Sequence, residues 1–221
     1  MPDRQAPVAR RRQYQYGLAI SDLSISRGDR IVLSNVCIDI EPGSPVILRG
    51  ANGAGKTTLL RAIAGFIPVQ KNTIALRIKD TPIADDEYRN QILFCGHANG
   101  VHGALSAYEN LKFWARLYDA PTDSIGASVD ALGLSGMMGR QAGVLSAGQQ
   151  RRLGLCRALI SRKPIWLLDE PTSSMDKESE QLFCAMVDDH CRLGGIVLIA
   201  SHDALPIEGA RNLALQQAPA S

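Results

Sequence analysis

Apolar and polar positions alternate in the opening stretch. Leu18, Ile20, Leu23 and Ile25 are separated by polar residues, the period-two pattern of half-buried strands. Arg27-Gly28-Asp29-Arg30 reads as a turn, and Ile31 to Ile40 as a second strand-like run that Glu41-Pro42-Gly43 breaks. Pro45 to Leu48 is a short, wholly apolar strand. A glycine-rich turn follows, then the helical spacing of Thr58, Leu59, Leu60, Ile63 and Ala64, with Gly65 placed to end the helix.

Ile92 to Cys95 forms another apolar strand leading to Gly96-His97. From Leu105 the period becomes helical, and Ser106 with Glu109 makes a capping box. Leu111, Ala115 and Tyr118 continue the apolar stripe to Pro121, and helical fragments run on to Val144. A long helix from Ser146 to Arg162, an apolar strand from Ile165 to Leu168, a helix near Lys177 to Arg192 and an apolar strand from Ile196 to Ala200 complete the pattern. Strands apolar on both faces, alternating with helices, predict an α/β fold with a mostly parallel sheet covered on each side. The block from about 101 to 144 reads as an inserted helical lobe.

The length of 221 residues suits one α/β domain, and 45% hydrophobic with 21% charged residues is ordinary for a globular protein. A net charge of +2 does not call for nucleic acid. Residues 1–16 hold Arg4, Arg10, Arg11 and Arg12 against Asp3, which predicts a disordered basic tail. No apolar segment follows those arginines to make a signal peptide, and no run approaches a membrane span. Cys37, Cys95, Cys156, Cys184 and Cys191 contain no C-x-x-C pair, so buried free thiols are expected rather than a zinc site.

Gly50-Ala51-Asn52-Gly53-Ala54-Gly55-Lys56-Thr57 fits the spacing G-x-x-x-x-G-K-[ST] between a strand and a helix, with Thr58 next in line. A triphosphate needs a concave row of backbone amides, and glycines let the chain wrap closely around it. The helix beginning near Lys56 adds its positive end. Lys56 is expected to reach the β and γ phosphates, and the Thr57 hydroxyl to bind Mg²⁺. ATP or GTP is the expected ligand.

The strand Ile165 to Leu168 ends in Asp169-Glu170, at the carboxyl edge where such sheets bind ligands. Asp169 is expected to hold Mg²⁺ through water, and Glu170 to take a proton from the attacking water. His202 follows the last apolar strand and is placed to reach the γ-phosphate.

Leu145-Ser146-Ala147-Gly148-Gln149-Gln150-Arg151 opens a capped helix. With the phosphate loop before it and Asp169-Glu170 after it, this segment resembles the signature of ABC ATPases, over about Leu18 to Leu215. The stretch Asp169 to Asp176 looks like the joined Walker B and D-loop of that family. The resemblance implies a P-loop, RecA-like fold with N-terminal antiparallel strands and an inserted helical subdomain. The core would then occupy about 17–100 and 145–221, and the insert about 101–144. It also implies a homodimer holding two ATP sites, in which Ser146 and Gly148 of one copy cap the γ-phosphate held by the other.

His97 stands where most members carry the glutamine that senses nucleotide and meets the membrane subunit. Ser26-Arg27 stands where many carry a tyrosine that stacks on adenine; Arg27 offers its guanidinium plane instead. These features, with Tyr108 to Leu111 and Gly194 to Ile199, resemble the ATP-binding subunit of the cytochrome c maturation transporter, the heme exporter A family. That resemblance implies integral membrane subunits as partners and a peripheral place on the cytoplasmic face of the bacterial inner membrane. It further implies that ATP hydrolysis powers release of a heme-loaded periplasmic chaperone. No C-x-x-C-H motif occurs, so direct heme binding is not expected. The alternatives are an ATPase serving another transported substrate, a soluble ABC ATPase acting on nucleic acid, and a regulatory module without turnover. The single ABC segment, without a long coiled coil, weighs against the second. Glu170 and His202 weigh against the third.

Overall fold

Alternation in the opening residues becomes a hairpin: β1 (Tyr16–Arg27) pairs antiparallel with β2 (Arg30–Ile40), Leu18 opposite Ile40 and Arg27 opposite Arg30. The computed structural model describes residues 14–79 and 81–215. Positions 1–13 of the expected tail lie outside the described residues. Its last three positions belong to the fold instead, because Tyr14 N donates to Leu193 O at 2.7 Å and Tyr16 opens β1.

The chain continues through β3 (Pro45–Arg49), α1 (Lys56–Ile63), β4 (Ile74–Ile78), β5 (Thr81–Pro82), α2 (Asp85–Tyr88) and β6 (Ile92–Cys95). Then come α3 (Ala107–Leu117), α4 (Asp123–Ala131), α5 (Ala147–Ser161), β7 (Ile165–Asp169), α6 (Lys177–Arg192), β8 (Ile196–Ala200) and β9 (Arg211–Ala214). One sheet has the order β2-β1-β4-β5 and is antiparallel; the other, β6-β7-β8-β3-β9, is parallel throughout.

Every residue of β7 and β8 is buried, as expected for central parallel strands. The period of two sorts their side chains between two cores. Val46, Leu48, Ile165, Leu167, Ile196 and Leu198 pack with α1 and the antiparallel sheet. Ile47, Trp166, Leu168, Val197 and Ile199 pack with the helices on the opposite face. Each such side chain, fully buried, contributes about 1.5–3 kcal/mol. The helical insert joins the second core: Leu111 of α3 and Ile125 and Val129 of α4 belong to the same cluster as Leu153 of α5 and Trp166.

Three thiols, Cys95, Cys156 and Cys184, are buried as expected, whereas Cys37 is exposed and Cys191 half-buried. Cys37 falls on the outer face of β2, where alternation puts every second residue in solvent. Among the described residues no helix is long and apolar enough to cross a membrane.

Candidate functional site

A parallel sheet brings all its carboxyl ends to one edge, and the loop between β3 and α1 wraps that edge. Gly55 takes the helix N-cap position at φ 93° with no side-chain cap, which leaves the first amides of α1 open to an anion. A Cβ on Gly55 would lie 2.5 Å from Leu33 Cδ2 and 3.2 Å from Val32 O, so only glycine fits there. Lys56, 7% exposed, donates from Nζ to Gly50 O at 2.7 Å and to Ala51 O at 3.4 Å, and Nζ lies 3.2 Å from His202 Nε2. The ammonium is thus folded against the loop that a phosphate would enter.

Asp169 ends β7, and its carboxylate accepts from Thr57 Oγ1, 3.0 Å from Oδ1 and 3.1 Å from Oδ2. These are hard oxygen donors. Among the described residues no three His, Cys, Asp or Glu side chains gather into a metal cage. As hard oxygen donors, Thr57 and Asp169 could hold Mg²⁺, which takes one or two protein oxygens and completes its shell with phosphate and water. Glu170 bends out of the strand at φ 48°, a left-handed conformation that is uncommon for a residue with a Cβ. Its Oε1 lies 3.4 Å from His202 Nε2.

One cavity of ≈ 410 Å³ is lined by Arg27, by residues 52–58, and by Asp169, Glu170 and His202. Arg30 and Val32 also line it. Sequence reasoning did not single those two out, although both follow directly from the Arg27–Arg30 turn that carries Arg27 into the cavity. Gly50 and Ala51 stand behind the wall as acceptors for Lys56.

Besides Gly50 and Ala51, four expected site residues lie outside this cavity, away from the phosphate loop. Ser146 caps α5: its Oγ accepts from Gln149 N at 3.3 Å, while Gln149 Oε1 accepts from Ser146 N at 3.0 Å. Gly148 passes so close to the loop after β7 that a Cβ would stand 2.6 Å from Ser174 O. Asp176 caps α6, accepting from Ser179 N at 2.8 Å, and hydrogen bonds from Ser179 hold its carboxyl below the usual range. His97 is exposed.

A phosphate loop opening an uncapped helix, a hydroxyl–carboxylate pair and a second carboxylate beside a histidine form an arrangement suited to triphosphate hydrolysis. The ABC transporter family model matches residues 33–173. Among solved structures, a putative ABC transporter ATP-binding protein from Pyrococcus furiosus superposes with TM-score 0.77 at 28% identity, covering 90% of this chain and 97% of that one. An ATP-binding cassette of an ABC transporter in its ADP conformation shares the fold, with TM-score 0.70 at 21% identity over 86% of this chain and 83% of that one. Fold and site together define an ATP-binding, ATP-hydrolysing protein of the ABC transporter class.

The cytochrome c biogenesis ATP-binding export protein CcmA of Paracoccus denitrificans is 40% identical over 90% of this chain and 88% of its own length. The proteins of that name from Ruegeria pomeroyi and Haemophilus influenzae are 42% and 36% identical, covering 86% and 91% of this chain and 87% and 96% of their own lengths. The chain belongs to this family of cytochrome c biogenesis ATP-binding export proteins.

Proposed function

We propose that two copies of this chain close head to tail on two molecules of ATP, and that hydrolysis drives an export step in cytochrome c biogenesis. The substrate step is most directly heme delivery or release of a heme-loaded chaperone. The observation that carries this reading is the division of the site. Lys56, Thr57, Asp169, Glu170 and His202 share one cavity, whereas Ser146 and Ala147 open an exposed helix start outside it. A helix start turns its positive end toward an anion, and a second copy turned to face this one would bring it to the exposed end of the triphosphate.

In that arrangement Lys56 holds the β and γ phosphates, and the amides of residues 52–58 cradle them. Thr57 and Asp169 would hold Mg²⁺, which neutralises charge on the phosphate oxygens. Glu170 accepts the proton of the attacking water, and His202, next to both Glu170 and Lys56, orients the γ-phosphate. Arg27 lies against the base. Ser146 and Gly148 serve the partner's nucleotide, and Asp176 anchors the loop beside them. The helical insert over about 101–144, with His97, meets the membrane subunits. Exposed Phe113 (55%), Leu117 (59%) and Val144 (62%) supply apolar surface there of the kind that marks protein contacts. The chain would then work as a peripheral protein on the cytoplasmic face of the inner membrane.

The test is capture of the tagged chain from detergent-solubilised membranes of cells expressing the neighbouring genes. Multi-span membrane subunits should co-purify in stoichiometric amount. Recovery of the chain alone, or with nucleic acid, contradicts the reading.

A further inference from the structure

We propose that Arg151 is a positioning residue for hydrolysis, holding Glu170 in its working orientation and tying it to the His97 loop and to α5. The proposal rests on the reading of Glu170 as the proton acceptor.

Arg151 sits in the second turn of α5, five residues after Ser146, and is 3% exposed. All three nitrogens of its guanidinium are engaged. Nε donates to Pro171 O at 3.0 Å, and Nη2 to Asp169 O at 2.6 Å and Glu170 O at 2.8 Å. Nη1 donates to Gly96 O at 3.0 Å, His97 O at 3.2 Å and Asn99 Oδ1 at 3.0 Å. One side chain therefore grips three consecutive carbonyls of the strand end and the loop that carries His97.

These acceptors are all neutral. Among the described residues no carboxylate forms an ion pair with Arg151. A buried cation with no direct ion pair is a costly way to brace a fold; burial pulls this guanidinium's pKa downward, against the attraction of the Asp169 and Glu170 carboxylates. What the cost secures is visible at Glu170. Its left-handed backbone is strained and persists only where the surroundings over-determine it. The bonds from Arg151 to the carbonyls of residues 169, 170 and 171, with Glu170 N donating to Ala200 O at 2.8 Å, supply that over-determination. A rigid helix joins Arg151 to Ser146. A shift of α5 or of the His97 loop must therefore act on the bend that aims the Glu170 carboxylate.

The experiment uses the full chain as Arg151→Met, Arg151→Lys, Glu170→Gln and the double variant Glu170→Gln/Arg151→Met. It reads affinity for a fluorescent ATP analogue, steady-state turnover and thermal midpoint. Misplacing a catalytic group by about 1 Å costs on the order of 100-fold, so Arg151→Met should lower kcat by about that factor, with ATP affinity changed by less than about twofold. In the Glu170→Gln background the same substitution should alter the residual rate by less than about twofold, because a residue acting through Glu170 has nothing left to position.

Arg151→Lys keeps the charge with three donors in place of five and should give an intermediate kcat at unchanged affinity. It serves as the test if the methionine variant does not fold. Unchanged turnover in Arg151→Met or Arg151→Lys overturns the proposal. So does an equal loss of turnover in both backgrounds, or a loss of affinity that parallels the loss of rate. Wild-type turnover in Glu170→Gln is a separate result: it removes the base assignment beneath the proposal.

Discussion

His202 Nε2 lies 3.4 Å from Glu170 Oε1, although the two residues come from the ends of different strands. The same imidazole nitrogen is 3.2 Å from Lys56 Nζ, so one ring stands between the carboxylate and the cation of the phosphate loop. General-base groups contribute about 10²–10⁴-fold to rate, and Glu170→Gln should lower kcat by that order while ATP remains bound. His202→Ala should also lower kcat. Single-turnover phosphate release with parallel filter binding checks both, and a wild-type rate in Glu170→Gln contradicts the assignment.

Lys56→Ala and Asp169→Asn should both abolish turnover, but by different routes. Losing a charge-assisted hydrogen bond costs about 1.5–3 kcal/mol, so Lys56→Ala should weaken ATP binding by about 10–150-fold. Asp169→Asn leaves an acceptor for Thr57 but removes the negative charge, and should make ATP affinity insensitive to Mg²⁺. Calorimetric titration with and without Mg²⁺ separates the two effects.

Ser146 caps α5 and, in the proposed dimer, faces the partner's phosphate; one pair of substitutions separates the two. Ser146→Ala removes the cap of α5 and should cost about 1 kcal/mol of stability. Ser146→Asp keeps a capping oxygen but turns a negative charge toward the partner's phosphate. It should retain stability and ATP capture by the monomer while losing turnover. Equal loss of capture and turnover would count against a site completed by a second copy.

His190 is stacked on Trp166, with ring centroids 3.7 Å apart, and donates from Nε2 to Pro164 O at 3.1 Å. Burial pushes its pKa down to about 4. The unfolded chain binds the proton near pH 6.5, so the folded state holds fewer protons between these values. Stability should be unaffected by this group above pH 6.5 and fall as pH drops toward 4, by at most about 1.4 kcal/mol per pH unit. His190→Gln should flatten that slope in urea unfolding at pH 7.5, 6.0 and 5.0. Equal slopes would show that the ring does not govern it.

Much of this was readable because certain residue types have few alternatives. The phosphate loop needs glycine where φ is positive, and both capping boxes announce α3 and α5 before any packing is known. The wholly apolar β7 and β8 announce the parallel sheet. β4 was not foreseen because its five residues are mostly half-buried and take their strand form from pairing with β1, Leu76 opposite Leu18. β9 has three exposed residues out of four, and only its register with β3, Val46 opposite Arg211, makes it a strand. In the sequence Arg151 is only one residue of a helix start. Five of its six acceptors are backbone oxygens, as far as 55 positions away in sequence, which no local pattern reveals.

The central claim is that Mg²⁺-ATP joins two copies of this chain across the exposed start of α5. Small-angle scattering of Glu170→Gln with saturating ATP and Mg²⁺ measures this directly. The particle should have twice the monomer mass and revert to monomer when Ser146→Asp is added. A monomer at saturating nucleotide would contradict the claim.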